Sequence, residues 1–275
     1  MRIAAVNWEI EPGTPDSFLV HLERIVKQCV AGGANLVVLP ECIDLEVLGF
    51  APGDDMPSLA AYLADTSAPR IGAMGELSAT YGITLVGGSV LVREGDQIRN
   101  RCHIFESGHL TFQDKLVMTQ FELMEWGVSA GTGLAKPRDK RLGVTVCYDC
   151  EFPVSGRLLA ERGCLVQFVP SYTETQHGFQ RVRWSCKARA IENQNFVVHT
   201  SLVGNLGGEP VPSTFGNSAI LTPSCAPFPA DAVLAETEFG VEGIAFADLD
   251  FAQLEIARST GDVRNWNDRD RGHWQ

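Results

Sequence analysis

The chain has 275 residues, 45% of them hydrophobic, and a formal net charge of −12. A surface this acidic repels nucleic-acid phosphates and anionic lipid, so neither is an expected partner. No apolar run reaches the ~20 residues of a membrane span, and eight cysteines are too sparse for a disulfide scaffold, so a reducing cytoplasm with free thiols is expected.

Met1-Arg2-Ile3 runs straight into a strand-like segment over 2–8, without the apolar stretch and cleavage site of an export leader. Thr14-Pro15-Asp16 supplies a capping hydroxyl, a proline in the first turn and an acid near the positive helix end. Phe18, Leu22, Ile25, Val26, Cys29 and Val30 then recur at helical spacing until Gly32-Gly33 stops the helix. Residues 35–40 form a continuous apolar run, typical of a buried strand, that ends abruptly at Glu41. Residues 70–81 read as a helix, 83–92 as a strand broken by Gly87-Gly88, and 101–106 with 109–113 as a hairpin. A second buried strand, 142–146, ends at Cys147. Helices are expected over 154–163 and 178–194, strands over 165–169 and 196–202, and a mostly β pattern from Phe215 onward. Strands alternating with helices, without linker or repeat, predict one α/β domain over 1–275 with helices covering the sheet faces.

Two reactive side chains therefore stand where buried strands end, Glu41 and Cys147. In open α/β sheets, ligands gather at such carboxyl ends. Partial desolvation raises a carboxylate's pKa and makes it a usable base near neutral pH. A thiol needs such a base, or a nearby cation, to become nucleophilic. Lys115 supplies a cation at the end of another strand-like stretch, Phe112-Gln113-Asp114. Each of these residues taken alone reads as an ordinary solvated strand end.

Together they form a recognisable order. Leu36-Val37-Val38-Leu39-Pro40-Glu41, Asp114-Lys115-Leu116, Val146-Cys147-Tyr148-Asp149 and Phe152-Pro153 resemble the nitrilase superfamily in sequence and spacing. Val169-Pro170-Ser171 and Arg189-Ala190-Ile191-Glu192-Asn193 extend the resemblance, which runs from Met1 to about residue 250. It implies a four-layer α-β-β-α sandwich, usually paired into a homodimer through helices. It also implies hydrolysis of a non-peptide C–N bond in a small amide or carbamoyl compound. Cys147 would be the nucleophile and Glu41 the proton shuttle, with Lys115 and the backbone N–H of Tyr148 holding the oxyanion. Family members often carry a second glutamate after the lysine, a role for which Glu122 and Glu125 compete; Phe121-Glu122 fits better, and Glu125 before Trp126-Gly127 also reads as a surface carboxylate at a turn. No metal or organic cofactor is implied.

Departures from the family pattern bear on substrate. Nitrilases proper usually carry Trp-Glu after the cysteine, whereas Tyr148-Asp149 looks more like the amide-hydrolysing branches. Many relatives with Cys-Tyr-Asp place an Arg before Phe-Pro, where this chain has Cys150-Glu151, so their specificity for small dicarboxylate amides does not carry over. Glu151 is expected either to face the pocket, favouring cationic or neutral substrates, or to pair with a neighbouring helix. Nitrile hydrolysis and a non-catalytic binding role on the same fold are the alternatives.

Cys147 and Cys150 also form a Cys-x-x-Cys, but structural zinc needs a second ligand pair that is missing, and Pro153 delays the helix that a redox motif would open. Cys150, Cys29 and Cys186 are expected as packing thiols. The six histidines are scattered; His103, His177 and His199 could line a pocket but read equally as structural.

Overall fold

In the computed structural model, which describes residues 1–272, the first strand already dictates a layered architecture. β1 (Arg2–Ile10) sends Ala4, Val6, Trp8 and Ile10 into one core and Ile3 and Ala5 into another. A strand buried on both faces has no polar side to alternate, which accounts for its continuous apolar reading. α1 (Pro15–Ala31) follows, with Thr14 and Ser17 capping each other's backbone N–H groups and Phe18, Leu22, Ile25, Val26 and Cys29 buried. β2 (Leu36–Val38), α2 (Met56–Asp65), α3 (Ala68–Tyr81), β3 (Thr84–Glu94), β4 (Gln97–Glu106) and β5 (His109–Asp114) complete the first half. The second half runs α4 (Gln120–Met124), β6 (Leu142–Val144), α5 (Pro153–Glu161), β7 (Val166–Ser171), α6 (Gln176–Asn193) and β8 (Phe196–Gly204). β9 (Ala219–Leu221), β10 (Val233–Glu236), β11 (Gly243–Asp248), α7 (Phe251–Thr260) and α8 (Asn265–Asp268) follow.

One set of strands pairs in the order β11-β1-β2-β3-β4-β5, parallel from β1 to β3 and antiparallel elsewhere. The other pairs as β6-β7-β8-β9-β10, parallel from β6 to β8. The far end of β1 joins them, with Trp8–Ile10 running parallel to Leu202–Gly204. Ile3, Ala5, Leu36, Val38, Val86 and Ile104 of the first set share a core with Val144, Phe168 and Val198 of the second and with Val182, Cys186 and Ala190 of α6. The opposite face of the first set packs Val6, Val37 and Leu85 with Phe18 and Leu22 of α1 and Met74 of α3. The result is the α-β-β-α sandwich.

One stretch carried no reading from the sequence and another differs from its reading. The chain after Glu41 folds into a 3₁₀ segment, Ile43–Phe50, and then α2, started by Asp55, whose side chain accepts from Ser58 N–H. The C-terminal region is not mostly β: after β11, Asp250 caps α7 through the N–H groups of Ala252 and Gln253, and Leu254 and Ala257 bury one face. Among the described residues, no helix is long and apolar enough to cross a membrane.

A charged clamp closes the α1 side. His21 stacks on Trp8 at 3.9 Å between ring centroids, and its two ring nitrogens lie 3.2 Å from Glu46 and 2.8 Å from Glu242. Burial alone would lower the pKa of His21, but these two carboxylates outweigh it and raise the value to about 9. A base whose folded-state pKa is raised stabilises the fold fully below its unfolded value, ~6.5, and loses that contribution as pH rises through the folded value. The difference in urea unfolding free energy between wild type and His21→Gln is therefore expected to be largest below pH ~6.5 and to shrink as pH passes about 9. A pH-independent difference would contradict the clamp.

Candidate active site

Three strand ends converge on one cavity. Glu41 follows β2, and its position is set by a tight approach between two backbones. Leu39 N–H donates to Val86 C=O at 2.9 Å and Ser89 N–H to Pro40 C=O at 3.1 Å, across an irregularity in the β3–β4 register between Val86 and Ser89. Gly88 adopts φ +66° there, and a Cβ at that position would sit 2.0 Å from the Pro40 carbonyl oxygen. Only glycine fits such a site without a shift. Ser89 Oγ then accepts from Cys42 N–H, and Thr200 of the second sheet donates to Leu39 C=O. Beyond the bend, Asp44 is held by the buried guanidinium of Arg70 at 2.9 Å. Glu41 is thus fixed from several sides.

Lys115 follows β5 directly, its N–H donating to Asn100 C=O. Its ammonium lies 2.8 Å from Glu41 Oε1 and 2.7 Å from Glu122 Oε2, and all three side chains are buried. Glu122 is the third residue of α4 and closes a capping box, its carboxylate accepting from the N–H and hydroxyl of Thr119. The same oxygen therefore caps a helix and binds the lysine. Glu125, at the end of the same short helix, is exposed and does not line the cavity; three residues on, its side chain leaves toward solvent. Of the two glutamates that compete for the second position, the structure brings Glu122 to the cavity and leaves Glu125 outside it.

Cys147 lies three residues beyond β6 in the left-handed region, φ +47°, at the start of the 3₁₀ turn Cys147–Glu151. A non-glycine residue held there is uncommon and is found where surrounding structure over-determines it. Its Sγ lies 3.5 Å from Tyr172 C=O, and Cys147 and Glu41 line the same cavity. Tyr172 N–H in turn donates to Glu41 Oε2 at 2.8 Å, so one peptide segment touches both groups. Tyr148 lines the cavity.

Sequence reasoning missed three supporting residues. Asn100, in β4, donates its amide to Glu41 Oε1 at 2.9 Å and Glu122 Oε1 at 3.1 Å. Asp149 accepts from the N–H groups of Leu116, Val117 and Val146, lashing the lysine segment to the cysteine turn. Tyr172 supplies the backbone contacts just described. The capping-box pattern Thr119-Gln120-Phe121-Glu122 was the readable signal separating Glu122 from Glu125. Nothing local marks Asn100 or Tyr172, whose partners lie far away in sequence.

The electrostatics divide the two glutamates. Burial pushes the Glu41 carboxyl up, and Glu122 adds to that push against the pull of Lys115. For Glu122, burial is outweighed by Lys115, helped by Thr119 and Asn100, and its pKa falls below the ordinary value. Burial would weaken the Lys115 ammonium, but the paired carboxylates hold it well above its usual value. Burial, then the charge of Glu41, pushes the Cys147 thiol up. Asp149 is raised to about 6 by burial, against its three N–H donors.

The cavity holds about 590 Å³. Met118, Phe121, Trp126, Tyr148 and Val182 form apolar walls. Glu151 lines it and pairs with Arg181 of α6 at 3.4 Å, so it both faces the pocket and ties to a helix. Cys150 Sγ lies 3.7 Å from Cys186 Sγ, both fully buried. Cys29 is likewise buried in the core. His103 and His199 are buried and His177 exposed, and none lines the cavity. Among the described residues, no group of three His, Cys, Asp or Glu is arranged to hold a metal ion.

A model of the family described as carbon-nitrogen hydrolase matches residues 2–259. The chain is 30% identical over 277 residues to the "Probable hydrolase YhcX" of Bacillus subtilis (strain 168), covering 98% of this chain and 54% of that protein. It is 26% identical to the "Omega-amidase, chloroplastic" of Arabidopsis thaliana, covering 87% of this chain and 65% of that one. The chain thus spans roughly half to two thirds of these two relatives. In fold it is similar to Saccharomyces cerevisiae Nit3, a member of branch 10 of the nitrilase superfamily. The TM-score is 0.77 at 23% identity over 94% of this chain and 93% of the other.

The Gly88 approach gives a direct check on what fixes Glu41. Gly88→Ala adds left-handed strain of ~1–2 kcal/mol and forces Pro40 aside, so it should lower unfolding free energy and displace Glu41. Gly72→Ala, in α3 with nothing within 4 Å, is the control and should stabilise slightly, by at most ~1 kcal/mol. Equal effects in urea unfolding would contradict this reading.

Proposed function

The chain belongs to the carbon-nitrogen hydrolase family, and from that premise we propose that it hydrolyses a small amide or carbamoyl compound through a thioester on Cys147. The observation that carries the proposal is one lysine ammonium 2.8 and 2.7 Å from two buried glutamates in the cavity that Cys147 lines, where burial raises Glu41 and the lysine lowers Glu122. Environments that push paired carboxyls apart separate a proton carrier from a fixed charge. Glu41 is then the proton shuttle and Glu122 the anion that keeps Lys115 charged and aimed.

The cycle follows from the contacts. The resting thiol of Cys147 is protonated, since burial and Glu41 both disfavour a thiolate. As sulfur attacks the carbonyl carbon, its proton passes to Glu41, so negative charge moves from carboxylate to sulfur without adding to the buried total. The charge then develops on the carbonyl oxygen. Lys115 has three N–H donors, two already given to Glu41 and Glu122, leaving one for the oxyanion. The N–H of Tyr148 is the second donor, and one such donor is typically worth ~3–4 kcal/mol. Glu41 returns its proton to the leaving nitrogen, and ammonia or an amine departs. Water next gives a proton to Glu41 and attacks the thioester; collapse expels the sulfur, which takes the proton back. No step calls for a cofactor.

The Tyr148-Asp149 pair and the similarity to an omega-amidase favour amides over nitriles. Self-association as a homodimer is part of the same reading. It is supported by exposed apolar side chains on two neighbouring helices, Val154 and Leu158 of α5 and Trp184 and Ile191 of α6.

Ammonia release from a panel of amides, carbamoyl compounds and nitriles tests the proposal. Cys147→Ala is expected to abolish turnover and Cys150→Ala to retain most of it. Glu122→Gln should lower kcat by at least ~100-fold, the scale of a group with a transition-state role, and Glu125→Gln by far less. Faster turnover of nitriles than of every amide, or the reverse ranking of the two glutamates, would overturn it.

A further inference from the structure

Six ionisable side chains besides Cys147 and the other thiol and phenol groups line the cavity: the carboxylates Glu41, Glu122, Glu151 and Glu174, and the cations Lys115 and Arg181. The inner three are committed to one another at 2.7–2.8 Å, and Arg181, largely exposed at the rim, is spent on Glu151. Glu174 is the lining carboxylate that forms no ion pair among the described residues. It follows β7 on the segment that carries Tyr172, whose backbone C=O meets the nucleophile's sulfur and whose hydroxyl donates to Glu174 Oε1. Tyr172 thus meets the sulfur at its backbone and Glu174 at its hydroxyl, and all three residues line the one cavity.

This segment is preorganised. Thr173 Oγ1 donates to Phe215 C=O at 2.8 Å and Phe215 N–H to Thr173 C=O at 2.9 Å. Ser213 Oγ donates to Glu174 C=O, and Thr175 caps α6 through Gly178 N–H. A carboxylate fixed this way, in a pocket with apolar walls, meets a ligand charge without first paying to be ordered. The tyrosine hydroxyl occupies part of its accepting capacity and leaves the rest open.

Resting on the amide-hydrolase reading, we infer that Glu174 determines specificity by accepting a cationic group at the far end of the substrate. The pocket then selects amides whose acyl portion ends in an ammonium or similar donor and rejects those ending in a carboxylate. Its carboxylate, without an ion-pair partner among the described residues, supplies both halves of that selection, attraction for one class and repulsion of the other. Glu151 contributes little, because Arg181 already meets it.

Matched primary amides ending in ammonium, methyl or carboxylate, at several chain lengths, test the inference. At the best length, kcat/KM is expected to rank ammonium above methyl above carboxylate. Glu174→Gln, which still accepts from Tyr172, should lower the ammonium-to-methyl ratio about ten-fold, the scale of one charge contact in a partly dry site. A merely structural Glu174 would change all three substrates alike and leave that ratio intact. Raising salt in the wild type from about 0.05 to about 0.5 M should also compress the ratio, a readout independent of the variant's folding. A ratio unmoved by both substitution and salt, or a wild-type preference for the carboxylate, overturns the inference while leaving the amide-hydrolase reading in place. Ammonia release from none of the amides overturns that reading, and the inference with it.

Discussion

Everything at the centre of this protein depends on a lysine ammonium held between two carboxylates away from water. Lys115 meets Glu41 and Glu122 at 2.8 and 2.7 Å, and each side chain is almost fully buried. Moving charges out of water is unfavourable by several kcal/mol per ion unless their remaining hydrogen-bond capacity is met. It is met here by a second ring of donors: the Asn100 amide to both carboxylates, Tyr172 N–H to Glu41, and Thr119 to Glu122. The cluster keeps one surplus negative charge. Burial raises both Glu41 and the Cys147 thiol, with Glu122 adding to the first and Glu41 to the second, and in the proposed cycle proton exchange between the two forms the sulfur nucleophile.

The fold meets this demand by placing strand ends rather than loops around the cluster. β2, β5 and β6 deliver Glu41, Lys115 and Cys147, and each is pinned by backbone hydrogen bonds within a residue or two. Asp149 holds together the lysine segment and the cysteine turn, since its carboxylate binds N–H groups from both. Gly88 lets the Glu41 bend sit against the next strand. Much of the cavity wall beyond the cluster comes from α4 and from the segment from Tyr172 to Thr175.

The alternating strands and helices were legible because both-face burial writes long apolar runs, as over 35–40 and 142–146, and because Thr14-Pro15 and Gly32-Gly33 punctuate a helix clearly. Glu41 and Cys147 could be placed at strand ends for the same reason, each directly after an apolar run, whereas their roles and that of Lys115 were legible only through the family resemblance. The 3₁₀ segment after Glu41 could not be placed, because its Ile43, Leu45, Val47 and Leu48 are all buried and show no one-sided period, while Asp44 and Glu46 are buried through distant partners, Arg70 and His21. The C-terminal helix escaped notice although Asp250 is a readable cap; only two of its residues, Leu254 and Ala257, are buried. Asn100, Asp149 and Tyr172 illustrate the deeper limit. Their roles exist only once β4, the cysteine turn and the segment after β7 meet in space.

The most direct measurement is peptide mass analysis of enzyme quenched during turnover of a slow amide. The account expects a single adduct, equal to the substrate less ammonia, on the peptide carrying Cys147, which disappears as product forms. An adduct on another residue, or product formation that persists undiminished in Cys147→Ala, would contradict it.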